Sequence, residues 1–382
     1  MDMTIGIEIQ TLIGKPTGVG LYTYHLVREL AELGGGERYR LFYFDFRRRG
    51  CGRAIKNPRF ELRPIRFMPG RVYESLSENV GWPDISWCAG HCDLYHFPNF
   101  VIPPLKKGKA VVAVHDLSFS RFPEYTEARN LRRLQKRFLH TLERADAVIA
   151  ISEFTKRELI ELYGVAPGRV TVIRLGVSSP GRAVFTKPIP PRYFLFVGTV
   201  EPRKNLGTLL DAWRIVKSRR PDWPFKLLIA GGHGWNCEPA DVQARRRGVA
   251  ADVIALDYVT HEDLPALYRT AEALVFPSLY EGFGLPLLEA MACGTPVVAS
   301  TAPALPEVVG DAGLMCDPHD AEDIARAMMR INDDRQLRDS LVARGFERIK
   351  LFSWRKTAEE TLALYRKLLQ GEIPNPKSQI PK

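Results

Sequence analysis

Apolar runs of strand length alternate with amphipathic stretches from the first residues of the chain onward. "TIGIEI" (4–9), "YRLFYFDF" (39–46), "KAVVAVHDL" (109–117) and "DAVIAIS" (146–152) are such runs, whereas "VGLYTYHLVRELAEL" (19–33) and "EFTKRELIELYG" (153–164) place apolar residues three and four apart. The runs predict strands and the spaced stretches predict helices, the second helix ending at Gly164. Strand and helix in alternation predict a parallel sheet covered by helices on both faces. The pattern breaks at "SSPGRAVFTKPIPPR" (178–192), rich in Pro and Gly and without periodicity, which reads as a linker. It restarts with "YFLFVGTV" (193–200), "NLGTLLDAWRIVKSR" (205–219), "FKLLIAGG" (225–232), "DVIALDYV" (252–259), "HEDLPALYRTA" (261–271), "EALVFPS" (272–278) and "TPVVAS" (295–300). The expectation is an α/β protein of two doubly wound parallel-sheet domains, residues 1–180 and 190–353, with a cleft between them. Open α/β sheets bind ligands beyond the carboxyl ends of their strands, so residues that directly follow strands are the candidates for chemistry.

Composition narrows the class. With 382 residues, 45% hydrophobic and 26% charged, the chain is long enough for two full cores, and disordered and fibrous classes are excluded. No stretch has the roughly 18 consecutive apolar residues of a membrane span, and "MDMTIGIEIQ" lacks the regions of a signal peptide, which points to a cytoplasmic protein. Six cysteines without disulfide-like rhythm fit a reducing compartment. "WCAGHCD" (87–93) groups Cys88, His91 and Cys92 but has no second pair at zinc spacing, so it reads as a buried strand or turn. The net charge of +10 is uneven: between residues 47 and 71 nine basic side chains face one acid, Glu61, and "RNLRRLQKRF" (129–138) adds a basic helical face. That density is either a solvated surface or an attraction to phosphates, as in an anionic membrane or a pyrophosphate-linked acceptor. Without a zinc finger, an RRM signature or a basic heptad array, nucleic acid is not an expected partner.

The stretch "FPSLYEGFGLPLLEAMACGTPVVAS" (276–300) leaves one predicted strand and enters another. Its loop "LYEGFG" precedes a short helix with Pro286 in the first turn and Gly294 as C-cap. Gly282 and Gly284 permit close backbone approach just ahead of the helix N-terminus, where unpaired N–H groups and the helix dipole favour a phosphate. Glu281 and Glu289 stand eight positions apart, and each carboxylate can accept hydrogen bonds from neighbouring hydroxyls. Hydroxyls on either side of a diphosphate describe a nucleotide sugar. The alternative is that both acids only complement a helix N-terminus.

The same stretch resembles the Glu-x7-Glu signature of the retaining glycosyltransferases of family 4, whose GT-B fold consists of two facing Rossmann-like domains. "TGVGLYTYHLVREL" (17–30), "VVAVHDLSF" (111–119), "DAVIAISEFTKREL" (146–159), "VGTVEPRKNLGTLLDAW" (197–213) and "FSWRKTAEETLALYRKLL" (352–369) extend the resemblance over nearly the whole chain. It implies a nucleotide-sugar donor, with Arg203 and Lys204 as phosphate-binding cations, Glu281 supporting the donor sugar and His115 orienting the reacting sugar. These four are the catalytic candidates. Gly18, Gly20, Gly198, Tyr258, Val259, Gly282, Phe283, Gly284, Leu285 and Glu289 are the donor-binding candidates. Two departures stand out: Thr199 follows Gly198 where many relatives carry Arg, and Asp257 stands beside the nucleobase segment where glycine is common.

The chain has no Asp-x-Asp motif to hold a divalent metal at the diphosphate, so no metal and no cofactor is expected. The resemblance further implies a helix near 354–370 that returns to the N-terminal domain, closure of the domains, and front-face displacement with retention. "TGVGLYTYH", "HDLSFSRFPEY" and "GTVEPRKNL" look most like mannosyltransferases of surface polysaccharide and O-antigen synthesis. GDP-mannose is then the expected donor and a glycan or lipid-pyrophosphate-linked glycan the acceptor, with the basic run holding the enzyme peripherally on the inner face of the cell membrane. The alternatives are a GT-B sugar-nucleotide epimerase, which would lack the Glu-x7-Glu helix, and a non-catalytic nucleotide-sugar-binding protein. Loss of His115 or Lys204 would mark the latter, and both are present.

Overall fold

The computed structural model describes residues 3–14, 17–51, 57–125, 128–181, 184–234 and 236–373. Lys15 and Pro16 of the glycine loop, Arg53 and Lys56 of the basic run, Arg182 of the connecting segment, and the Arg129 and Arg133 side chains of the basic helical face lie outside this description. The chain divides into two compact units. Unit 1 is Met1–Leu117, Arg129–Gly176 and Trp354–Lys382, and unit 2 is Ser118–Ala128 and Val177–Ser353.

Unit 1 is built on a parallel seven-stranded sheet in the order β3-β2-β1-β4-β5-β6-β7. The strands are β1 Thr4–Glu8, β2 Arg38–Phe44, β3 Phe60–Ile65, β4 Leu94–Phe97, β5 Lys109–Val114, β6 Ala147–Ala150 and β7 Val170–Val172. Strands buried on both faces lose the alternation of a half-exposed strand and read as continuous apolar runs, as "AVVAV" in β5 does. The strand order reverses between β1 and β4, which makes their carboxyl ends the switch point of this sheet. The helix Gly18–Glu32 follows β1; Thr17 caps it by accepting from Gly20 N at 3.1 Å. Gly20 is there for packing, since a Cβ would stand 2.8 Å from the Thr11 carbonyl oxygen, whereas a Cβ on Gly18 would meet nothing.

The helix Trp354–Leu369 closes unit 1 against Gly18–Glu32. Trp354 stacks on His25 at 4.7 Å, the Thr357 hydroxyl donates to the Arg174 carbonyl at 2.7 Å, and Tyr365 hydrogen-bonds to the buried His96. Arg366 donates to Glu37 at 2.8 Å; Glu37 is buried while Arg366 is half-exposed. Removing the cation strands a buried carboxylate. Arg366→Ala is therefore expected to lower the stability of unit 1 by about 2 kcal/mol, read as a fall in thermal midpoint that Glu37→Gln in the same chain largely reverses.

Unit 2 repeats the architecture with six parallel strands in the order β10-β9-β8-β11-β12-β13. They are β8 Tyr193–Val197, β9 Lys226–Ala230, β10 Val253–Ala255, β11 Leu274–Phe276, β12 Val297–Ser300 and β13 Leu314–Cys316. The helix Leu206–Arg219 turns Leu209, Leu210, Trp213 and Val216 inward, and Trp213 and Phe225 pack with Phe194 of β8 in the core. The switch point here lies between β8 and β11.

Some segments differ from expectation. "WCAGHCD", expected as a buried strand or turn, starts in the short helix Ile85–Ala89 capped by Asp84 and leaves it at Gly90; Cys88 in the helix and Cys92 after it are buried free thiols. Among the described residues no group of three or more His, Cys, Asp or Glu is placed to hold a metal ion, and no helix is long and apolar enough to cross a membrane.

Candidate active site

Two loops leave the strands that flank the switch point of unit 2. Gly198, directly after β8, has φ 148°, and the stem of Lys204 packs over it. Gly231, after β9, approaches from the other side so closely that a Cβ would overlap the Gly198 carbonyl oxygen. Gly231→Ala is expected to push this loop aside and cost about 3 kcal/mol, the upper end of what overpacking does; a lowered melting temperature checks it. Pro202–Lys204 forms a single 3-10 turn ended by Asn205 at φ 59°. The Asn205 amide donates to the carbonyls of Pro277 (3.0 Å) and Pro318 (2.7 Å), and Leu279 N donates to the Arg203 carbonyl (2.8 Å), so the turn is pinned to the loop after β11.

That second loop carries Glu281, a buried carboxylate on which both cations converge. Lys204 Nζ donates to Oε1 at 2.6 Å and Arg203 Nη1 to Oε2 at 3.0 Å. Burial alone would raise the Glu281 carboxyl, but Lys204 and Arg203 outweigh it and hold the group at about 2. Arg203 also donates to Glu201 at 2.8 Å and to the Tyr280 carbonyl at 2.9 Å. The Lys204 ammonium lies 5.0 Å from the centre of the Phe276 ring. Two cations and two buried acids, Glu201 and Glu281, make this cluster formally neutral. Arg203 donates to three protein groups, whereas the Lys204 ammonium donates to Glu281 alone among the described residues.

The helix Leu285–Ala292 follows, with Gly284 as its N-cap at φ 112° and Pro286 in its first turn; Gly294, at φ 75°, comes just after its end. Gly282 and Phe283 are buried, Phe283 standing edge-on to Phe352 at 5.7 Å. Glu289 accepts from the Tyr268 hydroxyl at 3.0 Å and lies 3.5 Å from His261 Nδ1. Burial raises its carboxyl, and His261 and Tyr268 only partly offset that. Asp257 takes φ 55°, the left-handed backbone that glycine adopts freely and Asp tolerates, and its carbonyl accepts from Gly231 N at 2.8 Å. Tyr258 beside it is exposed and Val259 half-buried.

His115, Gly18 and Gly20 belong to unit 1. His115 is buried just beyond β5, with Nε2 2.8 Å from the Pro98 carbonyl oxygen. A carbonyl only accepts, so Nε2 carries the proton and Nδ1 is left as an acceptor. Burial lowers the imidazole and keeps it neutral, although the Pro98 carbonyl and Asp116 act the other way. Tyr22 stands edge-on to this ring at 5.2 Å. Sequence reasoning missed Glu201, Asn205, Gly231, His261 and Tyr268. Glu201 and Asn205 had a signal, their place within "VEPRKN"; Gly231, His261 and Tyr268 become neighbours of the site only through the fold.

Two family descriptions divide the chain between them: Glycosyltransferase Family 4 matches residues 16–180 and Glycosyl transferases group 1 matches residues 181–348. The O-antigen chain mannosyltransferase B of Escherichia coli is 37% identical over 287 residues, 72% of this chain and 74% of that protein. The chain belongs to glycosyltransferase family 4. The serotype-specific mannosyltransferase WbdA of Escherichia coli is 32% identical over 307 residues, 75% of this chain but only 37% of WbdA, so this family 4 glycosyltransferase spans little more than a third of that relative. Sucrose-phosphate synthase from Thermosynechococcus elongatus has the same fold, with a TM-score of 0.73 at 22% identity over 97% of this chain and 100% of that one. So does Anabaena HepE in complex with UDP and glucose, with a TM-score of 0.70 at 20% identity over 96% of this chain and 100% of that one. The GT-B fold, as two Rossmann-like units, is thereby established.

Proposed function

We propose that this glycosyltransferase is a retaining, metal-independent mannosyltransferase that moves mannose from GDP-mannose to a glycan or lipid-pyrophosphate-linked acceptor in O-antigen-type polysaccharide synthesis. The observation that carries the reading is the convergence of Lys204 and Arg203 on Glu281 at the switch point of unit 2, where open sheets bind ligands. The names of its relatives, an O-antigen chain mannosyltransferase and WbdA, support the sugar.

The bond between the anomeric carbon and the diphosphate oxygen breaks, and its electron pair leaves with the diphosphate. Lys204 turns from Glu281 to that developing charge, and the N–H groups of Gly284 and Leu285 at the helix start add to it. The acceptor hydroxyl forms the new C–O bond on the same face, and its proton passes to the departing phosphate oxygen. Glu281 and Glu289 accept from donor hydroxyls, and neutral His115 takes a hydroxyl's hydrogen bond at Nδ1. Incubation with GDP-mannose and mannosyl acceptors, read by the one-bond carbon–proton coupling at the product's anomeric carbon, tests the reading. An α-linked product in the presence of a chelator is expected; a β-linked product, or transfer that depends on added metal, contradicts it.

The expected membrane contact belongs to a particular face of unit 1. Val72, Leu76 and Val80 form an exposed stripe at i, i+4 and i+8 on the helix Gly70–Val80. Phe67 and Trp82 each contact Trp87, and all three are more than half exposed, with exposed Arg63 and Arg71 in the same segment. Aromatic rings with arginines suit the interface of an anionic bilayer. Sedimentation with phosphatidylglycerol vesicles but not with neutral ones is expected, and equal recovery with both would sink the proposal.

A further inference from the structure

Behind His115, the core of unit 1 holds polar groups that packing alone does not require. Tyr22, His96 and Tyr365 are fully buried, and each comes from a different element: the helix Gly18–Glu32, β4 and the helix Trp354–Leu369. The Tyr22 hydroxyl lies 3.4 Å from His96 Nε2, and the Tyr365 hydroxyl hydrogen-bonds to His96 Nδ1. Tyr22 also meets His115, ring edge-on to ring at 5.2 Å. We propose that Tyr22 is a positioning residue for His115, with the buried chain Tyr365–His96–Tyr22 fixing where its ring stands; this rests on the role given to His115 in the proposed function.

Apolar side chains would fill this space without needing partners, whereas a buried hydroxyl or imidazole is costly unless it is hydrogen-bonded. Among the described residues each of the two hydroxyls has His96 as its one hydrogen-bond partner. His96 is neutral, since burial, followed by the neighbouring His115, lowers it to about 3. Its ring then carries one proton: the hydroxyl that faces the bare nitrogen donates, and the one that faces the N–H accepts. The two contacts are set together, and loss of either hydroxyl disturbs the other. At His115 the consequence is a ring held on two sides. Nε2–H donates to the Pro98 carbonyl at 2.8 Å, and Tyr22 packs at 76° to the imidazole. A single hydrogen bond leaves a ring free to swing about it; the second contact removes that freedom, so Nδ1 keeps the direction in which it accepts from the sugar hydroxyl. His96 and Pro98 are two positions apart on the chain, so the end of β4 supports His115 directly through Pro98 and indirectly through Tyr22.

Tyr22→Phe and Tyr365→Phe keep both rings and remove one hydroxyl from each end of the chain. Each is expected to lower kcat for transfer from GDP-mannose about tenfold, the scale of a small misplacement, while donor KM changes by less than about twofold. In a His115→Ala background neither adds a further loss, because a positioning residue acts only through the group it positions. A loss that persists in that background, or an unchanged kcat in both Phe variants, overturns the proposal. Long-range proton–nitrogen NMR of the histidine rings in the full chain reads the geometry without activity. His115 is expected as the single Nε2–H tautomer in the wild type and as a mixture of the two tautomers in both Phe variants; unchanged His115 ring signals overturn the proposal whatever the kinetics. If His115→Ala transfers mannose as the wild type does, the role given to His115 in the proposed function falls, while the NMR still decides whether the chain fixes its ring.

Discussion

Lys204→Ala is expected to lower kcat/KM for sugar transfer by about 300-fold, the loss of roughly 3 kcal/mol that follows removal of one preorganised donor to developing charge. The fold fixes the position of the lysine. Its stem lies over Gly198, its ammonium near the Phe276 ring, and its carboxylate partner is Glu281, the residue proposed to accept from donor hydroxyls. Arg203 cannot take over, because its guanidinium already serves Glu201, the Tyr280 carbonyl and Glu281. Lys204→Met, which keeps the stem and loses the charge, should be as inactive as the alanine variant. Steady-state kinetics at varied donor concentration check this: a lysine that acts on the leaving group lowers kcat, whereas one that only anchors the ground state raises KM alone.

Glu281→Gln is expected to lower stability as much as Gly231→Ala does. It leaves two neighbouring cations without the buried carboxylate that joins them, at a cost of about 3 kcal/mol. The same carboxylate makes unit 2 sensitive to acid. Its folded-state value of about 2 lies below the ordinary 4.5, so its contribution, again about 3 kcal/mol, is fully present above the ordinary value. It is lost as pH falls from about 5 toward 2. The wild-type melting temperature should therefore drop across that window more steeply than that of Glu281→Gln, which has no such group to protonate. Parallel pH profiles for the two proteins would place the stabilising charge elsewhere.

What the sequence made legible follows physical lines. β8 and β5 were plain because both faces of a central parallel strand are buried, and "YFLFV" and "AVVAV" admit no polar interruption. β3 was hidden: at the sheet edge "FELRPI" can expose Glu61 and Arg63 and tolerate Pro64. The helix Gly70–Val80 was hidden for the opposite reason, since its apolar stripe of Val72, Leu76 and Val80 faces out and only Tyr73 and Ser77 are buried. At the site, the spacing of Glu281 and Glu289 and the placement of the glycines were local signals. The grip of Arg203 and Lys204 on Glu281 spans 78 and 77 residues and exists only because β8 and β11 are neighbours in the sheet. The same holds for Tyr268 against Glu289 and for Gly231 against Gly198.

In the proposed function, unit 2 holds a nucleotide sugar between Lys204, Glu281 and Glu289. Thermal shift with GDP-, UDP- and ADP-sugars, on wild type, Lys204→Ala and Glu289→Ala, tests it most directly. A rise in melting temperature selective for GDP-mannose, absent from both variants, is the predicted result; no rise with any nucleotide sugar, or a rise that survives in the variants, would contradict it.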